Sequence, residues 1–122
     1  MKKRVIRLHI SNAEDVGQRF VSAWNRAERG DAVASDEDHL SFVGLKAYLS
    51  TLTPKRWELL KSLNADGPQS IRALSKLLGR DYKSVHGDVG KLMELGLIVK
   101  RDDGLIEAPY DRIISDIRLA AA

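Results

Sequence analysis

The 122-residue chain contains no cysteine, which removes disulfides, thiolate metal ligands and cysteine nucleophiles together. Its three histidines, His9, His39 and His86, lack the i, i+4 spacing that sets two imidazoles on one helical face, so neither a metal site nor a cofactor is expected. No apolar run approaches the roughly 20 residues that cross a bilayer. The N-terminal MKKRVIRLHI is interrupted by Arg7 and His9, unlike a secretory signal core. The expectation is a soluble, cytoplasmic protein with no membrane partner. A Gly-rich phosphate loop is missing as well. Asp36, Glu37, Asp38 and His39 form the only acidic cluster beside a histidine, and no nucleophile accompanies them at a recognisable spacing. They read as a solvated loop, and the chain as no enzyme.

Charge is present but unevenly spread. A net charge of +3 is too small to identify a partner. Residues 1–10 carry Lys2, Lys3, Arg4 and Arg7 with no acid, and residues 11–38 reverse the sign. Residues 53–101 return to positive, with ten Lys and Arg against five acids. Positive charge concentrates in the most strongly patterned part of the chain.

Hydrophobic periodicity predicts a mixed α+β fold. Ile6, Leu8 and Ile10 alternate with Arg7 and His9, the period of a half-buried strand. Ser11 or Asn12 can cap a helix running to about Arg29, with Val16, Phe20, Ala23, Trp24 and Ala27 as its apolar stripe. Residues 31–38 read as an exposed connection, residues 40–43 as a short strand and residues 44–52 as a short helix carrying Leu45, Tyr48 and Leu49. Thr53 and Pro54 start a helix that should end near Asn64, with Trp57, Leu60 and Leu63 on its buried side. Ser70 caps residues 71–78, with Ile71, Leu74, Leu77 and Leu78 in period. Gly79 permits a sharp turn, and Asp81 caps residues 82–95, whose Val85, Val89, Leu92 and Met93 face the core. Gly96 ends that helix. Residues 97–99 and 105–108 flank a polar turn, the pattern of a hairpin. The string YDRIISDIRL reads as a strand with Ile113, Ile117 and Leu119 on one side, or as a short helix; the strand is preferred.

The order helix, helix, turn, helix, hairpin over residues 52–108 resembles the winged helix-turn-helix regulators of bacteria and archaea, the group that includes the multiple-antibiotic-resistance and arsenic-resistance repressors. LTPKRWELLKSL followed by GRDYKSVHGDVGKLMELGLI looks like a family of small prokaryotic transcriptional regulators with antitoxin-like members. The resemblance implies a homodimer that lays helix 82–95 of each subunit in successive major grooves of double-stranded DNA, with the hairpin as a wing beside the backbone. Residues 1–52 then form a strand-helix-strand extension that packs on the same core and serves dimerisation. Residues 53–108 form the DNA-binding region, and residues 109–122 a C-terminal strand or tail. An exposed strand at Ile6, Leu8 and Ile10 would invite pairing with another chain.

On this reading Arg80 reaches a phosphate, and Lys83 and Lys91, eight residues apart and near one side of the helix, reach phosphates or a guanine edge. Ser84 and His86 are candidates for base edges, or else cap and pack locally. Tyr82 either meets a phosphate or packs on the preceding helix. Lys100 and Arg101 on the wing are phosphate candidates weakened by Asp102 and Asp103. Gly87 and Gly90 either admit a closely approaching backbone or are merely tolerated, and Asp88 stands where many such helices place a third apolar residue. The expected function is sequence-specific DNA binding in transcription regulation. The alternative is an antitoxin that neutralises a toxin protein and controls its own operon.

Overall fold

The computed structural model describes residues 4–11 and 38–119. Over these residues the protein is α+β. In chain order it holds β1 (Val5–Ser11), β2 (Asp38–Val43), α1 (Leu45–Thr51), α2 (Pro54–Asp66), α3 (Ile71–Leu78), α4 (Tyr82–Glu94), β3 (Val99–Lys100), β4 (Ile106–Glu107) and β5 (Arg112–Ile117). The helix expected from residue 12 to 29, with Phe20 and Trp24, lies outside the described residues, as do Asp36 and Glu37. No described helix is long and apolar enough to cross a membrane.

The chain divides into two compact units. One contains Arg4 and Thr51–Asp111; the other runs through residue 50 and takes up the chain again from Arg112.

In the second unit β1 is the central strand of a three-stranded sheet, with β2 and β5 parallel to it on either side. The alternation in β1 turns Ile6, Leu8 and Ile10 to one face, where each is at most 3% exposed. Register brings Leu40 and Ser115 beside Leu8, and Phe42 and Ile117 beside Ile10. From α1, Tyr48 covers this face: its ring meets Phe42 edge-on at 5.5 Å, and its hydroxyl shares a 2.8 Å hydrogen bond with Ser115 Oγ. Leu45 and Leu49 of α1 are exposed instead of buried. The expectation that the N-terminal strand offers itself to another chain meets a different arrangement, because both edges of β1 are occupied. Among the described residues the sheet's outer strands are β2 and β5. Of the apolar side proposed for residues 110–119, Ile113 is half-buried, while Ile117 and Leu119 are exposed.

The first unit is built by local signals. Thr53 Oγ1 accepts the amide of Arg56, and Pro54 occupies the first position of α2, where no amide is needed. Leu59, Leu60 and Leu63 are buried, whereas Trp57 is only half-buried. The helix continues to Asp66, past the expected stop at Asn64, and Gly67 closes it at φ 90°. Ser70 caps α3 through the amide of Ala73. At the end of α3 the amide of Gly79 bonds Lys76 O and that of Arg80 bonds Ser75 O. This is a Schellman closure around a left-handed Gly79 (φ 64°, ψ 32°). Asp81 then caps α4 through the amide of Ser84.

Val85, Val89 and Leu92 on α4 are fully buried, as is Leu74 on α3. Leu77 and Met93, both expected in the core, stand on its flank with 50% and 36% exposure, and Ser75 takes the inward place on α3. A second Schellman closure ends α4, with Gly96 at φ 79° and the amide of Leu97 on Leu92 O. It turns Leu97 and Ile98 into the core. The hairpin pairs Val99 with Glu107 and Lys100 with Ile106. Gln69, between α2 and α3, forms an antiparallel bridge to Ile106, so the hairpin is bonded to the segment that launches α3.

Candidate nucleic-acid interface

The core of the first unit takes one side of α4, and the opposite side is open. Lys83, Ser84, His86, Gly87, Gly90 and Lys91 are all exposed. A Cβ built on Gly87 or Gly90 would meet nothing within 4 Å. Neither glycine is required by packing among the described residues, although each costs a helix interior roughly 1 kcal/mol relative to alanine.

The cations expected to bind DNA fall into two groups. Lys83 and Lys100 make no ion pair or hydrogen bond through their side chains with any described residue. Lys91 Nζ lies 3.4 Å from Glu94 Oε2, an exposed i, i+3 pair of little energetic weight. Arg101 is engaged by Asp103 at 3.0 Å at the tip of the hairpin. Arg80 is the most committed, its guanidinium donating to Asp88 Oδ2 at 2.7 Å. From α2, Arg56 Nε donates to Asp88 Oδ1 at 3.0 Å, while its Nη1 holds Thr51 O. Burial alone would raise the Asp88 pKa. The hydrogen bonds and charges of Arg80 and Arg56 outweigh that and hold the carboxyl below its ordinary range.

Asp88 is thus the point where α2, the Gly79 turn and α4 are tied together, which explains a charged residue in a stripe that sequence pattern alone would fill with an apolar one. Arg56 was not singled out by the sequence. The available signal was Asp88 itself, because a carboxylate between Val85 and Val89 needs a cationic partner.

Tyr82 opens α4 with its ring 5.8 Å from that of His86, and Arg72 of α3 lies over the same ring at 5.2 Å from its centre. Ser84 gives its amide to the Asp81 cap, and its hydroxyl is 3.5 Å from the same carboxylate. His39 lies in β2 of the sheet unit, where its Nδ1 is 2.8 Å from His9 Nε2 and the two rings stack. Among the described residues no group of three or more histidines and carboxylates could hold a metal ion.

These helices and the hairpin fall within residues 51–115, which match the HVO_A0114 family model. The chain belongs to that family. No curated protein and no solved structure matches it.

Proposed function

We propose that residues 53–108 are a winged helix-turn-helix of the kind found in the multiple-antibiotic-resistance and arsenic-resistance repressors, and that the protein is a cytoplasmic, homodimeric, sequence-specific DNA-binding transcription regulator. In this reading α4 enters the major groove and the β3–β4 hairpin is the wing. The observation that carries it is the two-sidedness of α4. Val85, Val89 and Leu92 anchor one side completely, while the other presents Lys83, His86, Gly87, Gly90 and Lys91. Open glycines on an outward helix face suit a surface that must come close to a large rigid partner. The bond between Gln69 and Ile106 adds support, since it fixes the hairpin beside the start of the two-helix element.

The test is duplex binding by the full chain across a salt series. Binding should weaken steeply with salt, and Lys83→Ala with Lys91→Ala should reduce both affinity and salt slope without unfolding the protein. Absence of duplex binding at low salt would refute the reading.

A second reading, an antitoxin that neutralises a toxin protein and binds DNA to control its own operon, is favoured by β5. Among the described residues β5 is an outer strand of the sheet, and it ends in Ile117 with Leu119 just beyond, exposed at 43% and 92%. A toxin encoded beside the gene should co-purify with the intact chain and be lost when Ile117 and Leu119 are both replaced by lysine.

A further inference from the structure

We propose that Arg72, carried on the ring of Tyr82, is a phosphate contact of this interface. The inference rests on the DNA-binding reading above and adds a residue that neither the helical pattern nor the resemblance singled out. Arg72 is exposed on the first turn of α3, and Tyr82 is the first residue of α4, so their contact joins the two helices at the start of the proposed recognition helix. The guanidinium carbon lies 5.2 Å from the ring centre, within the range of a cation–π contact. That contact is made through the face of the ring and occupies none of the guanidinium's N–H donors in a hydrogen bond. The side chain of Arg72 has no ion pair or hydrogen bond with any described residue, so its five N–H donors remain for a ligand.

Arg80 has the opposite character. Its Nη2 is spent on Asp88, and its Nη1 is buried without a hydrogen-bond partner. Of these two arginines, Arg72 is the one placed to meet an external phosphate. A ring beneath an arginine restricts the side chain before binding, which lowers the ordering cost of the contact. The imidazole of His86, with its ring 5.8 Å from that of Tyr82, also makes no hydrogen bond with a described residue, so the cluster offers a further polar group beside the cation. Lys83, which follows Tyr82 on α4, adds a second charge that has no ion pair with any described residue.

The experiment measures binding of the full-length protein to a random-sequence 30-base-pair duplex between 50 and 200 mM salt, because the phosphate contribution does not need a known operator. Removing one phosphate interaction lowers the slope of log affinity against log salt by about 0.9, equivalent to about 3.5-fold over that range. Arg72→Gln should show this reduction per protomer. Arg72→Lys should keep the slope and bind more weakly, Tyr82→Leu should bind more weakly with the charge in place, and Tyr82→Phe should preserve affinity by preserving the ring. A wild-type slope in Arg72→Gln, beside a reduced slope in Lys83→Gln, overturns the assignment of Arg72 and leaves DNA binding standing. Failure of the wild-type protein to bind the duplex overturns both. Circular dichroism melts of the variants verify that the fold is retained.

Discussion

Arg80 and Asp88 meet at 2.7 Å between the turn after α3 and the middle of α4. With Arg56 on the other carboxylate oxygen, this pair fixes α4 against α2 by charge at a place where most of the packing is apolar. The side chains of Asp88, Arg80 and Arg56 are 17%, 20% and 21% exposed, so solvent screens them only in part. Replacing Asp88 by alanine leaves two guanidinium groups uncompensated and should cost about 2–3 kcal/mol, below the full penalty of a wholly buried pair. Denaturant titration checks this. A loss below about 0.5 kcal/mol, the usual scale of a surface pair, would show that the cluster does not hold α4.

The same carboxylate makes acid stability predictable in sign. Its pKa is lowered in the folded protein, so its contribution is present in full above the unfolded carboxylate range, near pH 4, and fades as pH falls through the lower folded value. The stability advantage of wild type over Asp88→Asn should therefore be constant above about pH 5 and shrink below about pH 4. Urea midpoints measured in parallel across that range read the difference directly, and an advantage that grows on acidification would contradict the arrangement.

The two glycines that close α3 and α4 have a conformational reason to be glycine. Gly79 and Gly96 sit at φ 64° and 79°, and an added Cβ would meet nothing within 4 Å at either. Alanine there is penalised by backbone conformation alone, by about 1 kcal/mol at each site. Thermal melts of the two single variants should show similar losses. A much larger loss at Gly79 would indicate that the turn, together with Arg80, had moved.

The helical unit was legible because its signals are local. Thr53, Ser70 and Asp81 each sit three residues before the amide that they cap, and Gly79 and Gly96 each close the helix directly before them. Periodicity overestimated the core. Leu77 and Met93 fall on the flank of the buried stripe, a distinction of angle that a count of apolar residues does not make. Pairings distant in sequence were less accessible. Arg56 and Asp88 are 32 residues apart, β1 pairs with β5 from the far end of the chain, and Gln69 joins the hairpin through its backbone, which side-chain pattern does not report. Arg72 was hidden for a related reason. Its partner Tyr82 belongs to a different helix, and only their packing brings ring and cation together.

In the sheet unit Tyr48 and Ser115 share a 2.8 Å hydrogen bond between α1 and β5. Tyr48 is 8% exposed, so its ring anchors the helix by burial while the hydroxyl selects the strand. Tyr48→Phe should keep the ring packed on Phe42 and lose about 1 kcal/mol, the net worth of a hydrogen bond. A double-mutant cycle with Ser115→Ala isolates the pair, and a coupling energy near zero would show that the two hydroxyls bond water instead.

Gly87 and Gly90 should behave opposite to Gly79 and Gly96. Both lie inside α4, and a Cβ at either position points into open space. Alanine therefore removes the helix-propensity penalty and adds no clash, and each variant should be more stable than wild type by up to about 1 kcal/mol. If α4 lies in a major groove, the added methyl groups stand between helix and DNA, so the stabilised double variant should bind duplex more weakly. Melting temperature and duplex affinity moving in opposite directions would separate a glycine kept for a close partner from one that is merely tolerated. Higher stability with unchanged affinity would take these two positions out of the interface and leave Lys83 and Lys91 to carry the proposed contact of α4.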